Sequence, residues 1–324
     1  DRNGIVWGGW YSKETIPDFT SQILQITAGD YMRIGFIGAG KAGFTLGKYL
    51  VLKLNDSRIA GTFSETITVS GYYSRNEESA RKAAAFTNTR CYKNLNEIVC
   101  ESDVLMLTVP DGTIEHIWNK IKTFDIKGKI ICHCSGAMAS NIFSGVTEAG
   151  AFGYSIHPMY AISSKTKSYQ EMGTCCFTVE GDAEWRNRIR DFIALLGNEC
   201  IILSKENKIK YHAASVFASN LVNGLYGTAV NLLEQCGFQK QQAENALAPL
   251  FIGNAFHIEQ AGPMNGLTGP IERNDTETVK KHLAVLKGTE QEIYKSVSLA
   301  VVSLAKEKHP DRDYQLMENL LKGF

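Results

Sequence analysis

The segment RIGFIGAGKAG, which begins at residue 33, places an apolar run directly before glycines spaced as G-x-G-x-x-G. The run predicts a buried strand, the next segment has the pattern of a helix, and a second strand is predicted at 66–73. In such a unit Gly38 allows a tight turn, Gly40 allows a close backbone approach, and Gly43 lets the helix pack against the strand. The motif therefore predicts that the main fold begins with a β-α-β unit.

Free N–H groups and the positive end of the helix dipole make such a loop a binding site for phosphate groups. We predict that it holds the pyrophosphate of a dinucleotide. The residues concerned are Gly38, Ala39, Gly40, Lys41, Ala42 and Gly43. The alternative interpretation is a plain strand–turn–helix without a ligand, because this motif has false positives.

The residues after the second predicted strand indicate which dinucleotide binds. An NAD site places Asp or Glu there to bond the ribose 2′-hydroxyl, whereas this strand is followed by Ser74 and Arg75. Glu65 precedes the strand and would lie at its opposite end. Since a guanidinium and a hydroxyl suit a 2′-phosphate, we predict NADP(H), with NAD(H) less favoured. A solvated Arg75 without a ligand is the alternative.

Strand and helix patterns alternate from residue 32 to residue 203, and the remainder is helical. Alternation of this kind is typical of a doubly wound parallel sheet. Strands are expected at 33–37, 66–73, 103–109, 129–133, 152–156, 174–179 and 199–203, and helices at 42–54, 77–87, 113–122 and 183–196. Further helices are expected at 205–237 without a break, and at 239–259, 275–286, 288–308 and 311–322. The predicted domains are an N-terminal extension at 1–31, an NADP-binding Rossmann domain at 32–203, and an all-α domain at 204–324.

Two further loops should lie beside the glycine loop, because ligands of such sheets bind outside the carboxyl ends of the strands. Val109, Pro110 and Asp111 follow one predicted strand, and Ser135 and Gly136 follow the next. We predict that both loops contact the ribose and nicotinamide. The alternative is that Asp111 caps its helix and that Ser135 and Gly136 only turn the chain.

The composition argues against several other classes of protein. The 34 basic and 34 acidic residues balance, which gives no reason to expect nucleic acid or a membrane surface as a partner. No membrane span or signal peptide is visible, so we expect a cytoplasmic protein with its eight cysteines reduced. Cys132 and Cys134 flank His133, but successive residues of a strand face opposite sides of the sheet, so the two cysteines would face one side and His133 the other. We therefore predict no metal site.

Five segments of the chain carry a family resemblance: IGFIGAGKAG, CHCSGAMAS, SIHPMYAI, YHAASVFASNLV and GLTGPIERND. Together they resemble a family of NADP-dependent oxidoreductases with a Rossmann-like N-terminal domain and an all-α C-terminal domain of unknown function. This family lies within the superfamily that shares the 6-phosphogluconate dehydrogenase type of C-terminal domain. The resemblance implies an α/β fold followed by an all-α helical dimerisation domain, bound NADP, and a homodimer. It leaves the substrate open, and 1–31 falls outside it.

This sequence differs from related dehydrogenases in the residue that would donate the proton. Relatives among the β-hydroxyacid dehydrogenases use a lysine on the first long helix of the second domain, with an asparagine four residues later. Here Asn220 has Val216 in place of that lysine, so the lysine mechanism is not carried over. Hydride transfer still needs a group that delivers a proton, and histidine titrates near neutrality.

His212 is our predicted proton donor. On the predicted long helix it would share one face with Asn220 and Asn223, and polar groups on an otherwise apolar helix are costly unless they line a cleft. We predict that Asn220 or Asn223 orients the substrate. The alternative is a histidine that only packs at the start of the helix.

Three more residues are candidates for the site. His157 follows a predicted strand in SIHPMY, which resembles the His-Pro-Met segment of prephenate dehydrogenases and would give His157 a direct role. A structural loop histidine is the alternative. Thr268 and Arg273 lie in GLTGPIERND and are predicted to contact the substrate. Thr268 would shape the loop there, and Arg273 either holds an anionic substrate or is solvated.

The sequence therefore predicts an NADP(H)-dependent oxidoreductase that transfers hydride to or from a small carbonyl, hydroxy-acid or imine substrate in the cleft between the domains. The main alternative is an NADPH-binding sensor without turnover. His212 distinguishes them, because a place beside the nicotinamide favours the enzyme and purely apolar surroundings favour the sensor. A third possibility is a metal-binding redox protein that uses Cys132 and Cys134.

Overall fold

The computed structural model describes residues 32–56 and 67–323. The predicted extension at 1–31 and Glu65 lie outside the described residues. The structure has two compact units, with the boundary between Phe217 and Ala218. Residues 204–217, which the sequence analysis assigns to the second domain, belong to the first unit.

Within the described residues, eight strands form one sheet with the order β3-β2-β1-β4-β5-β6-β7-β8. They are β1 (Met32–Ile37), β2 (Ile67–Tyr73), β3 (Arg90–Cys91), β4 (Val104–Leu107), β5 (Ile130–His133), β6 (Phe152–Pro158), β7 (Phe177–Gly181) and β8 (Cys200–Ile202). The first six strands follow the order of a doubly wound fold, which confirms the predicted fold class.

One strand pair departs from the parallel prediction. β6 and β7 run antiparallel, while the other neighbouring strands run parallel. The connection between β6 and β7 contains only short 3₁₀ turns. A parallel pair needs a long crossover, usually a helix, whereas antiparallel neighbours do not.

The helices of the first unit largely occupy the predicted segments. They are α1 (Lys41–Leu54), α2 (Glu77–Thr87), α3 (Leu95–Glu101), α4 (Asp111–Ile121), α5 (Ala183–Leu195) and α6 (Lys208–Ala218). β3 and α3 were not expected, since elements this short give little periodic signal.

Apolar side chains cover both faces of the sheet. Phe36 and Met106 belong to a buried cluster on one face, together with Ile193 of α5. Ile37 and Leu107 belong to a second cluster on the other face. Neighbouring residues of β1 and β4 thus enter opposite layers, as the pleat of a strand requires. A sheet covered on both faces explains why its strands read as continuous apolar runs.

The second unit is helical in its described residues. It contains α7 (Asn220–Gln235), α8 (Lys240–Asn265), α9 (Thr276–Val285), α10 (Gly288–Lys308) and α11 (Gln315–Lys322). Its core includes Ile271, Val279, Val302, Tyr314 and Met317. Throughout residues 32–56 and 67–323, every helix is too short or too polar to cross a membrane.

The prediction of one unbroken helix from 205 to 237 is wrong. α6 ends at Ala218 and α7 begins at Asn220, because Ser219 adopts a φ of −127° and a ψ of −76°. Neither proline nor glycine stands at the break, so the local sequence carries no strong signal for it.

Candidate functional site

The carboxyl ends of five strands lie side by side. Ile37 of β1 is in register with Tyr73 of β2 and with Leu107 of β4. His133 of β5 is in register with Leu107 on one side and Ser155 on the other. The segments that follow these strands therefore emerge at one edge of the sheet. This edge is where open α/β sheets bind their ligands.

The glycine loop follows β1 and has the geometry that a phosphate loop requires. Gly38 has a φ of 115°, which residues with a side chain rarely adopt. A β-carbon at Gly38 would lie 2.7 Å from the backbone oxygen of Thr108, and one at Gly43 would clash with the backbone oxygen of Gly38. At Gly40 the nearest atom to such a carbon is 4.0 Å away. The fold itself needs Gly38 and Gly43, whereas Gly40 borders open space.

α1 begins at Lys41, directly after this loop. Gly40 is its N-cap, no side chain bonds the first N–H groups, and the first turn contains no acidic residue. Thr108 Oγ1 donates a hydrogen bond to the backbone oxygen of Gly38 at 2.8 Å, which fixes the turn. Backbone donors at a helix N-terminus fit the phosphates of a dinucleotide. The predicted residues Ala39, Lys41 and Ala42 lie in or next to this turn.

Ser74 and Arg75 follow β2, one strand away from the glycine loop. Ser74 Oγ accepts a hydrogen bond from the backbone N–H of Asn76 at 3.3 Å, and Asn76 in turn caps α2. Arg75 is exposed. A guanidinium at this corner can form two hydrogen bonds with a phosphate.

Asp111 and Ser135 connect the loops after β4 and β5. Ser135 Oγ donates a hydrogen bond to Asp111 Oδ2 at 2.7 Å. Pro110, not Asp111, is the N-cap of α4, and no side chain caps that helix. The alternative that Asp111 serves as a helix cap is therefore wrong, and its carboxylate instead holds the two loops together. Val109 and Pro110 lie at the start of the same loop.

Gly136 lies against two imidazoles. A β-carbon on Gly136 would be 2.7 Å from His212 Nδ1 and 2.9 Å from His157 Nε2. The two histidines come from different elements, since His157 is in β6 and His212 is in α6. His212 Nδ1 is buried and has no hydrogen-bond partner in the described structure. The structure thus brings together three of the predicted site residues.

Lys208, which is not among the residues predicted from the sequence, also belongs to this site. Its side chain is 1% exposed. The ammonium donates to the backbone oxygen of Ser135 at 3.1 Å and to Ser155 Oγ at 2.8 Å. Burial lowers the pKa of Lys208 to about 8, against the opposing effect of Glu180 and other nearby groups. Lys208 precedes His212 by four residues, which puts both on one helix face, and this spacing is a signal that the sequence itself contains.

His157 is held by Tyr211, another residue the sequence analysis did not select. Its Nδ1 and the Tyr211 hydroxyl oxygen are 2.7 Å apart. Burial, together with the charges of Lys208, His212 and His133, lowers the pKa of His157 to about 4. The imidazole is therefore neutral at pH 7.

The remaining candidates lie in the second unit. Asn220 Oδ1 accepts a hydrogen bond from Ser219 Oγ at 3.0 Å, and Asn223 Nδ2 donates to the backbone oxygen of Ser219 at 3.3 Å. The single helix on which they were expected to share a face with His212 is not present, because α6 ends at Ala218 and α7 begins at Asn220. Thr268 and Arg273 are both exposed, near the turn at Gly269. Their predicted roles toward a substrate stay predictions.

The cysteines next to His133 belong to the sheet core. Cys132 is fully buried in the cluster on one face, and the ring of His133 packs against Phe143 of the other cluster. Burial raises the pKa of the Cys134 thiol to about 12. Among the described residues, no three His, Cys, Asp or Glu side chains are placed to hold a metal ion.

The doubly wound sheet and the glycine loop after β1 place the protein in the class of Rossmann-type nucleotide-binding proteins. Residues 16–158 match the family model of a Rossmann-like domain. Residues 175–301 match the model of a domain of unknown function, DUF2520. The chain therefore combines a Rossmann-like domain with a DUF2520 domain, which confirms the resemblance found in its sequence. Comparison with curated proteins gives no match.

Solved structures share this fold. A Thermotoga maritima protein is 22% identical, with a TM-score of 0.65 over 85% of this chain and 99% of that chain. A Bacteroides fragilis protein described as a candidate NADP oxidoreductase is 22% identical, with a TM-score of 0.64 over 84% and 98%. A reductive aminase from Aspergillus terreus, in complex with NADPH and ethyl-5-oxohexanoate, is 12% identical, with a TM-score of 0.53 over 90% and 93%.

Proposed function

We propose that the protein is an NADP(H)-dependent oxidoreductase acting on a small carbonyl, hydroxy-acid or imine substrate. The observation that carries the proposal is the convergence at one sheet edge of two features. One is the open turn at Gly40, and the other is the polar group around Gly136 that Lys208, His157 and His212 form. A site with perturbed titratable groups next to a nucleotide loop is typical of an active centre.

The cofactor assignment is supported by the glycine loop and by Arg75. The uncapped N-terminus of α1 would bind the pyrophosphate through backbone N–H groups. Arg75 would bind a 2′-phosphate, and no acidic residue in the segment Ser74–Asn76 would repel it. The similar structures include a candidate NADP oxidoreductase from Bacteroides fragilis and a reductive aminase from Aspergillus terreus in complex with NADPH. Bound NADPH would supply the hydride.

The polar side chains around Gly136 are suited to stabilise the substrate oxygen while hydride is transferred. Lys208, whose pKa of about 8 lies close to neutrality, carries a proton at pH 7 and holds a buried positive charge. Such a charge stabilises negative charge that develops on a substrate oxygen. His157 is neutral at this pH, because its pKa is lowered to about 4. We therefore assign the positive charge to Lys208, with His157 and His212 as hydrogen-bonding groups.

The proposal includes a homodimer formed through the second unit. Several large apolar side chains of α8 are exposed, among them Leu250 at 71%, Ile252 at 54% and Phe256 at 55%. Exposed apolar groups of this size on one helix are typical of an interaction surface. Sedimentation of wild type beside Leu250→Asp tests this part, and a monomeric wild type would contradict it.

The deciding experiment measures NADPH consumption against a panel of keto acids, ketones and imines. We expect turnover by wild type and a loss of about a hundredfold or more in Lys208→Met, His157→Gln and His212→Ala, the contribution of a positioned charge or hydrogen-bonding group. Lys210→Met is the matched control, since Lys210 is exposed two residues from Lys208. Full turnover by His212→Ala would remove that residue from the site. Tight NADPH binding without turnover on any compound would support the sensor instead.

A further inference from the structure

We propose that Tyr211 is a positioning residue that holds His157 in the tautomer with its proton on Nε2. In this form His157 presents an N–H group to a ligand bound beside Gly136. The consequence for catalysis rests on the proposed function, but the tautomer itself can be measured without a substrate. Tyr211 lies in α6 between Lys208 and His212, so one helix supplies all three side chains.

The contact between the two residues is specific. The Tyr211 hydroxyl oxygen lies 2.7 Å from His157 Nδ1, although the residues are 54 positions apart in the sequence. Their ring planes meet at 86°, with centroids 5.6 Å apart. The phenol therefore contacts one nitrogen of the imidazole and leaves the other for a different partner.

The direction of this hydrogen bond follows from the chemistry of the two groups. A phenol gives up its proton far more readily than a neutral imidazole N–H, and an imidazole nitrogen is the better acceptor. Burial raises the pKa of Tyr211 and lowers that of His157 to about 4, so both are neutral at pH 7. Tyr211 O–H then donates to Nδ1, and the single imidazole proton resides on Nε2.

The Nε2 atom faces the site. It lies 2.9 Å from the place a β-carbon of Gly136 would take, and no described residue hydrogen-bonds to it. Only a glycine fits at position 136 beside this nitrogen, because any side chain there would collide with it. A ligand oxygen or nitrogen acceptor in the loop after β5 would receive this N–H.

The surrounding charges keep His157 a hydrogen-bond donor that does not itself become charged. Lys208 Nζ lies 5.6 Å from the centre of the Tyr211 ring, on the same helix. A second positive charge on His157 would be repelled by this ammonium. Lys208 therefore carries the positive charge, while Tyr211 fixes the orientation and tautomer of the neutral His157 imidazole.

Nitrogen-15 NMR of the full chain tests the tautomer directly. The seven histidines are labelled with nitrogen-15. The signals of His157 are assigned as those that disappear in His157→Gln. At pH 7.5 we expect only the Nε2–H form in wild type and a measurable share of the Nδ1–H form in Tyr211→Phe. Tyr226→Phe is the control, because the Tyr226 hydroxyl bonds the Glu244 backbone oxygen, and it should leave the tautomer unchanged. An Nδ1–H form in wild type would overturn the proposal, even if Tyr211→Phe fails to fold.

Steady-state kinetics distinguish a positioning role of Tyr211 from a purely structural one. Tyr211→Phe should lower kcat about tenfold in the wild-type background, the loss of one oriented hydrogen bond, and leave the KM for NADPH unchanged. In the His157→Gln background the same substitution should change kcat less than about twofold, because the two residues act as a unit. Equal losses in both backgrounds would contradict the proposal. If no compound is turned over, the proposed function fails while the NMR result still decides the tautomer.

Discussion

Lys208 Nζ donates a hydrogen bond to the backbone oxygen of Ser135 at 3.1 Å, across 73 residues of sequence. Its second bond, to Ser155 Oγ, joins the same helix to the neighbouring strand. Ser155 Oγ itself donates to the backbone oxygen of Ser135 at 3.2 Å. The ammonium thus closes a small network at the ends of β5 and β6. Because Gly136 lies in the loop after β5 and His157 lies near the end of β6, the position of α6 and the shape of the site depend on each other.

The burial of Lys208 predicts a stability that rises with pH. Its pKa is about 8 in the folded chain, below its ordinary value of 10.5. Between these values the unfolded chain binds more protons, so unfolding becomes less favourable as pH rises. We expect wild type to gain on the order of 2–3 kcal/mol relative to Lys208→Met from pH 8 to pH 10.5. Urea unfolding at several pH values measures the difference.

Lys210→Met is the control for this measurement, since Lys210 is exposed and should follow wild type at every pH. The comparison cancels the titration of tyrosines and cysteines, which all three proteins share. A wild type and Lys208→Met that change in parallel above pH 8 would show that Lys208 keeps an ordinary pKa.

Alanine substitutions at two glycines of the loop should have different effects, one on stability and the other on NADPH affinity. Gly38→Ala places a β-carbon 2.7 Å from the Thr108 backbone oxygen at a φ of 115°, and should cost about 2 kcal/mol or more in the free energy of unfolding. Gly40→Ala has open space, and should change stability by less than about 0.5 kcal/mol. The same methyl would obstruct a pyrophosphate, so NADPH affinity should fall at least tenfold. Calorimetry of Gly40→Ala with unchanged affinity would contradict a phosphate at this turn.

Much of this site follows from local patterns in the sequence. The apolar run before Gly38 predicts β1, and Ser74, Asp111 and Ser135 each follow a strand that lies within two places of β1 in the sheet. Parallel topology then brings their loops to one edge, because all these strands point the same way. No side-chain contact is needed for that conclusion.

The residues that the sequence did not reveal depend on long-range contacts. Lys208 is buried only because Ser135 and Ser155 supply acceptors for it, and a lysine alone would be expected on the surface. The break at Ser219 has no proline or glycine to mark it, so the local sequence predicts one continuous helix from His212 to Asn220 where the structure has two. Both errors arise where tertiary structure overrides the local pattern.

Arg75 gives a prediction about cofactor choice. Arg75→Gln removes the guanidinium that we assign to the 2′-phosphate, and a hydrogen bond to a charged group contributes about 1.5–3 kcal/mol. NADPH affinity should therefore fall about tenfold or more, while NADH affinity stays the same. Arg81→Gln is the control, because Arg81 is also exposed but pairs with Glu77 on α2. Equal losses for both dinucleotides, measured by calorimetry, would contradict the assignment.

His157 predicts that acid weakens the fold. Its pKa is about 4 in the folded chain, below the ordinary 6.5, because of burial and the facing charges of Lys208, His212 and His133. Between pH 6.5 and pH 4 the His157 imidazole is protonated in the unfolded chain but not in the folded chain. The free energy of unfolding therefore falls as the pH falls from 6.5 toward 4.

The loss should reach about 2 kcal/mol near pH 4, less than the full shift implies because the ring is partly exposed. His157→Gln lacks the titrating group and keeps an amide that Tyr211 O–H can still bond. We therefore expect its unfolding free energy to fall less than that of wild type between pH 7 and pH 4.5 in urea. The exposed His116→Gln on α4 should behave like wild type. If His157→Gln were as acid-sensitive as wild type, His157 would be charged in the folded state, and its assignment as a neutral hydrogen-bond donor would be wrong.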